Sequence, residues 1–137
     1  MKRICVIDGQ GGGIGSAIIK RLTATGSNIE IIALGTNAIA TAQMLKARAN
    51  RGASGENAIV CTVKQADIII GPVGIIMANA MMGELTPIMA QAIAASPARK
   101  LLLPLSRENI VIVGLAQMPL PHLIDTMIDD NLKNILE

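Results

Sequence analysis

Asp8-Gly9-Gln10-Gly11-Gly12-Gly13-Ile14-Gly15 joins two segments of different periodicity. Before it, Arg3-Ile4-Cys5-Val6-Ile7 is a short apolar run with the pattern of a buried strand. After it, Ser16-Ala17-Ile18-Ile19-Lys20-Arg21-Leu22 continues a helical face on which Ile14, Ile18 and Leu22 line up with Ala17 beside them. A strand feeding a helix through a glycine-rich turn gathers backbone N–H groups and the positive end of a helix dipole at one point, which suits a phosphate. Side chains at the glycine positions would block an anion or forbid the dihedrals that the turn needs. The expected ligand is therefore a phosphate-bearing small molecule, with the reaction left open. Asp8 suits a ribose, a metal or a proton at the strand tip, or else the backbone N–H groups of its own turn. Its charge would push a phosphate away, toward Gly11, Gly12, Gly13, Ile14 and Gly15.

Outward from the loop, Gly26 stops the first helix and Asn28-Ile29-Glu30-Ile31-Ile32-Ala33-Leu34 reads as a second, parallel strand. Gly35-Thr36-Asn37 turns into a helix ending near residue 49, with Thr36 or Asn37 as its N-cap. Residues 50–55 read as a loop with two glycines, and Ser54 as the cap of a helix over residues 56–65, for which a strand is the competing reading. Ala66-Asp67-Ile68-Ile69-Ile70 is a third strand ending at Gly71-Pro72-Val73-Gly74, and residues 75–82 are expected to be helical. Thr86-Pro87 opens a helix that stops before Ser96-Pro97. Residues 100–103 form a fourth strand and residues 109–115 a fifth. About five residues separate them, too few for a parallel crossover, so this last strand is expected to be antiparallel. Pro119-Leu120-Pro121 opens a final helix with Ile124, Ile128, Leu132 and Ile135 inward.

This alternation specifies a single α/β domain over residues 1–137, three-layered and of Rossmann or flavodoxin-like type. Its sheet should have about five strands, mostly parallel. Ligands of such sheets sit beyond the carboxyl ends of the strands. Asp8, Gly9 and Gln10 follow strand one, Thr36 and Asn37 strand two, and the backbone of Gly71, Pro72 and Gly74 strand three. Arg107, with Ser106 and Asn109, follows strand four and would neutralise a phosphate. The bland readings stand beside these: Asn37 and Asn57 as helix caps, Asn79 bonded to backbone, His122 on the surface, and Met77, Met81, Met82 and Met89 in the core.

The 137 residues include no Phe, Trp or Tyr, which removes an aromatic shelf for a base, a flavin or single-stranded nucleic acid. A net charge of +2 is too small to argue for nucleic acid. Cys5 and Cys61 lie in apolar runs and read as free thiols of a reducing compartment. Met1-Lys2-Arg3-Ile4 leads straight into a strand with no signal-peptide pattern. The uncharged run of sixteen residues, 68–83, falls short of a membrane span and contains Gly71, Pro72 and Gly74. A soluble cytoplasmic protein is expected, with no metal, nucleic acid or membrane as partner. Only 16% of the residues are charged, which together with that run predicts a homodimer with residues 68–83 at or beneath the interface. Met77, Met81 and Met82 would fill the contact.

Gly9, Gly13 and Gly15 fit G-x-x-x-G-x-G, and Gly9, Gly12 and Gly15 fit G-x-x-G-x-x-G. Both spacings resemble the cofactor loop of the short-chain dehydrogenase/reductase superfamily, which implies NAD, NADP or another nucleotide as cofactor. The end of strand two, Leu34-Gly35-Thr36-Asn37, carries no acid for a ribose and no arginine for a 2′-phosphate. With no tyrosine, the superfamily's Tyr-Lys pair is absent, and no hydride transfer by the chain alone is expected.

A second resemblance runs the length of the chain. It rests on Ile7-Asp8-Gly9-Gln10-Gly11-Gly12-Gly13-Ile14-Gly15, Ala33-Leu34-Gly35-Thr36-Asn37-Ala38-Ile39-Ala40-Thr41, Gly55-Glu56-Asn57-Ala58-Ile59, Asp67-Ile68-Ile69-Ile70-Gly71-Pro72-Val73-Gly74 and Pro119-Leu120-Pro121-His122. These segments are similar to a family of small Rossmann-like bacterial proteins labelled a domain of unknown function. That resemblance implies the fold and no activity. Three functions remain open: a nucleotide- or dinucleotide-binding sensor or accessory subunit, a small enzyme using Asp8 and Arg107 on a phosphorylated or carboxylated metabolite, and a structural homo-oligomer without ligand.

Overall fold

The computed structural model describes residues 1–26, 28–105 and 108–136. At its centre is β1 (Lys2–Asp8), whose Ile4, Cys5, Val6 and Ile7 are all fully buried. Alternation along the strand sends Ile4 and Val6 to one face, with Ile18, Leu22 and Met44, and Cys5 and Ile7 to the other, with Ile59, Val63 and Ile93. Each such side chain contributes roughly 1.5–3 kcal/mol by leaving water. Burial also pushes the Cys5 thiol up to about 11, so it behaves as a small apolar group.

The sheet has five strands in the order β3-β2-β1-β4-β5. β2 (Ile29–Gly35) and β3 (Arg51–Ser54) lie on one side of β1, and β4 (Ile68–Pro72) and β5 (Arg99–Leu103) on the other. Every pairing is parallel. The chain order reverses between β1 and β4, which places the tips of these two strands at the switch point. Two of the helices, α1 (Gly13–Thr23) and α2 (Ala38–Lys46), cover the Ile4–Val6 face. The opposite face takes α3 (Glu56–Thr62) and α4 (Pro87–Ala95). The chain then returns to the first face with α5 (Leu120–Thr126), which continues through a π-helical stretch (Met127–Leu132) into α6 (Lys133–Leu136). Arg21 Nε and Asp125 Oδ1, 2.8 Å apart, tie α1 to α5; both side chains are about half-exposed, so the pair contributes about 1 kcal/mol at most.

The structure corrects four sequence expectations. The sheet contains no antiparallel strand among the described residues, because residues 109–115 are not in it. After β5 the chain passes through Pro104, the Leu105 N–H bonds back to the Leu103 carbonyl, and the sheet edge is left behind. The missing strand is β3, in a stretch expected to be a loop: Arg51-Gly52-Ala53-Ser54 is a mostly exposed edge with no apolar pattern to betray it. Residues 75–82 are likewise no α-helix. A 3-10 turn (Val73–Ile76) gives way to turns in which Asn79, Met81, Met82 and Gly83 have φ of 66°, 59°, 57° and 88°, a run of left-handed residues that ends any helix. Lastly, Ser54 belongs to β3 rather than capping α3, which starts after Gly55 and tightens into a 3-10 turn (Val63–Gln65). No helix among the described residues is long and apolar enough to cross a membrane.

Candidate functional site

The tip of β1 carries Asp8, only 4% exposed. Its Oδ1 accepts the Gly9 N–H at 2.8 Å and its Oδ2 the Gly15 N–H at 2.7 Å. The residue at the N-cap of α1 is Gly12, which has no side chain to cap with, so Asp8 does that work by accepting from Gly15, seven residues further along the chain. The loop closes on itself through Gly12 N–H to Gly9 O at 2.9 Å, and Ser16 bonds the Gly12 carbonyl through both N–H and hydroxyl. Burial lifts the Asp8 pKa above its ordinary value; the Gly15 and Gly9 N–H groups pull against that, and the charge of Glu84 adds to it.

The five glycines of the loop separate into two sets. At Gly9 a Cβ would lie 2.5 Å from Thr36 Oγ1 and 2.6 Å from Met81 Sδ. At Gly12, which is left-handed with φ 74°, it would lie 2.8 Å from the Ala40 carbonyl, and at Gly15 2.5 Å from Met44 Sδ. These three are glycines because the fold is close-packed there. At Gly11 and Gly13 a Cβ would meet nothing within 4 Å, and neither residue has a positive φ. The N–H groups of Gly11 and Gly13 also make no hydrogen bond among the described residues.

The rim beside the loop is gathered by Glu84, which the sequence reading did not single out. Its Oε1 accepts three hydrogen bonds: from Gln10 N–H at 2.8 Å, Thr36 Oγ1 at 2.7 Å and Asn37 Nδ2 at 2.8 Å. Partial burial opposes its ionisation, but those three donors outweigh burial and hold its pKa below the ordinary 4.5. The one signal in the sequence was position: an acid directly after the uncharged run, in the loop between β4 and α4. Asn37 caps α2 as expected, its Oδ1 accepting from Ala40 N–H at 2.8 Å, while its amide also reaches the Gln10 carbonyl at 3.1 Å. Thr36 N–H extends the β1–β2 ladder by one bond to the Asp8 carbonyl.

Asp8, Gly9, Gln10, Thr36, Asn37 and Glu84 are thus one connected cluster. Gly71, Pro72 and Gly74 stand apart from it: all three are buried, with Gly71 packed on the Ile7 carbonyl and Gly74 near Met81. Residues 77–84 lie over the tips of β1 and β2, with Met81 N–H held by Glu108 Oε1 at 2.9 Å. Arg107 and Ser106 fall outside the described residues. Asn57 is exposed within α3, His122 is exposed in α5, and Asn79 serves a left-handed turn. Among the described residues no three His, Cys, Asp or Glu side chains are grouped to hold a metal. Two shallow clefts lie elsewhere. One of about 400 Å³ lies between Arg99 of β5 and Asp130 and Asn134, and one of about 180 Å³ between Arg21 and Lys133. Neither borders the glycine loop.

Replacing Glu84 with Ala is expected to cost about 1–2 kcal/mol at neutral pH, since charged hydrogen bonds are lost from donors that water then partly satisfies. Because the folded-state pKa of Glu84 is depressed, its contribution is present above 4.5 and is lost as pH falls through the folded value. Urea unfolding of wild type and variant at neutral and acid pH should therefore show the gap closing in acid. A gap independent of pH would mean that the contact is not ionic.

A model of the family described as Domain of unknown function (DUF3842) matches residues 3–136, and the chain belongs to that family. No curated protein matches the chain.

Proposed function

We propose that this chain is a nucleotide- or dinucleotide-binding protein, acting as a sensor or accessory subunit, whose Rossmann-like rim seats a phosphate on the N–H groups of Gly11 and Gly13. One observation carries the reading: glycine stands at 11 and 13 where neither the backbone nor any neighbour requires it. Close approach of a ligand to bare backbone supplies the missing reason. The strand order supports it, because β1 ends at the switch point where ligands of open α/β sheets bind. Glu84 supports a ribose beside the phosphate. Its Oε1 is taken up by three donors, while Oε2 has no hydrogen bond among the described residues and is suited to accept from a ligand hydroxyl. Asp8 favours binding over catalysis, because both its oxygens are committed to backbone N–H groups.

A thermal-shift screen with NAD, NADP, ATP, GTP and sugar phosphates tests this. A ligand at about 100 times its Kd stabilises by about 2.7 kcal/mol, a shift of several degrees for a domain of this size. Gly13→Val should keep the unliganded melting temperature, because its side chain enters open space, and should abolish the ligand shift. A shift that survives Gly13→Val and Gly11→Val, or no shift with any compound, would sink the proposal. Gly15→Val is unsuited to the purpose, since it also crowds Met44 and Asp8.

A further inference from the structure

The end of β2, Leu34-Gly35-Thr36-Asn37, has no carboxylate of its own, and the folded chain supplies one from elsewhere. Glu84 Oε1 lies 2.7 Å from Thr36 Oγ1 and 2.8 Å from Asn37 Nδ2, although these residues are 48 and 47 positions away. The same oxygen is 2.8 Å from Gln10 N, and Gln10 immediately precedes Gly11. Consecutive residues are about 3.8 Å apart, so the carboxylate stands beside the N–H groups of Gly11 and Gly13 rather than on them. Its mounting is firm. The Asn79 N–H bonds the Leu85 carbonyl at 2.7 Å, the Leu85 N–H the Ala80 carbonyl at 3.2 Å, and the Glu84 N–H the Met81 carbonyl at 3.1 Å. Leu85 is fully buried, and Thr86 caps α4. With three donors on Oε1, the side chain is held before any ligand arrives, which removes much of the ordering cost of using it.

The chemistry of that carboxylate is one-sided. Burial works against its charge, but the Gln10 N–H, the Thr36 hydroxyl and the Asn37 amide outweigh burial, so Glu84 is ionised at neutral pH. An ionised carboxylate accepts hydrogen bonds and donates none. Its Oε2, which has no hydrogen bond among the described residues, can therefore take a ligand hydroxyl. A phosphate ester in place of that hydroxyl has no proton to give and sets negative charge against negative charge. Nothing beside Glu84 offsets this: Thr36 and Asn37 are neutral and already spent on Oε1, and among the described residues no Lys or Arg forms an ion pair with Glu84.

Given a nucleotide phosphate on the glycine loop, we propose that Glu84 is a specificity-determining residue, which admits nucleotides with a free ribose 2′-hydroxyl and rejects those with a 2′-phosphate. Titration calorimetry on the full chain tests this with NAD, ATP and GTP, each beside its counterpart: NADP, 2′-deoxy-ATP and 2′-deoxy-GTP. Loss of the hydroxyl, or its esterification, should weaken binding by about 10- to 100-fold, the worth of one hydrogen bond to a charged group. Glu84→Gln keeps an oxygen for the three donors and puts an amide NH2 in place of the accepting oxygen. The melting curve of the unliganded variant establishes that it is folded, and the wild-type comparison needs no variant at all. In Glu84→Gln the preference for the free hydroxyl should fall by about 10-fold or more, and NADP should gain affinity. A preference that survives Glu84→Gln unchanged overturns the assignment to Glu84. Equal wild-type affinity within the pairs overturns the selectivity alone and leaves the nucleotide site standing. Binding of none of these compounds overturns both.

Discussion

Gly71→Val is expected to unfold the domain under conditions that leave Gly13→Val folded. A Cβ at position 71 would press directly on the carbonyl oxygen of Ile7 in β1 and come within 3.0 Å of Ile75 Cδ1. The first contact is backbone, and it lies between the two strands at the centre of the sheet. β1 cannot give way: its other side is paired with β2 from Lys2 to Asp8, and both its faces are buried. Relief must therefore come from opening the β1–β4 pairing, which is a loss of packing on both faces at once. Overpacking of an ordinary core site costs about 1–3 kcal/mol. Here, against immobile backbone, about 4 kcal/mol or more is expected, a large part of the roughly 5–15 kcal/mol that holds a domain together. Urea unfolding followed by circular dichroism measures it. A Gly71→Val variant within about 1 kcal/mol of wild type would show that the strands yield, and would leave Gly71, like Gly11 and Gly13, without a packing reason to be glycine.

β1, β2 and β4 were legible because strands buried on both faces are written as unbroken apolar runs, such as Ile68-Ile69-Ile70. The helix after the glycine loop was legible from period alone. β3 was not, because Arg51-Gly52-Ala53-Ser54 is an edge with a single neighbour, and its pairing with Ile32 to Gly35 is decided by the fold rather than by its own side chains. Ile110 to Val113 failed in the opposite sense. Strand propensity reports fitness for a pleated, half-buried surface, and whether a partner strand is present is a tertiary fact. Residues 75–82, expected to be helical, are not, because Asn79, Met81, Met82 and the following Gly83 are left-handed. At the site, Asp8 to Gly15 was local and therefore visible. Glu84 was not: its partners lie 47, 48 and 74 positions away. The division of the glycines into those the fold needs and those it does not likewise required knowing what stands opposite each one.

Asp8→Ala is expected to cost about 3 kcal/mol, and its pH dependence should run opposite to that of Glu84→Ala. The substitution strips the acceptor from two buried N–H groups, Gly9 and Gly15, each worth about 1–3 kcal/mol when left unpaired. It also removes a negative charge from the positive end of α1. The burial that makes these bonds valuable also penalises the ionised carboxylate, and this is why the Asp8 pKa is raised. The folded domain thus holds a proton on Asp8 at a pH where the unfolded chain, with its ordinary value of 3.8, has released it. Stability from Asp8 is complete below 3.8 and declines as pH rises through the folded pKa. The gap between wild type and Asp8→Ala should accordingly widen on acidification from neutral pH, whereas the Glu84→Ala gap closes. The two carboxylates are also coupled, since the Glu84 charge helps to raise the Asp8 pKa. In Glu84→Ala the Asp8 titration should therefore move down, which unfolding curves of the single and double variants across the acid range would register as non-additivity. An Asp8→Ala gap that closes in acid would show that the N–H groups of the loop hold Asp8 as a stabilised ion, with burial the lesser influence.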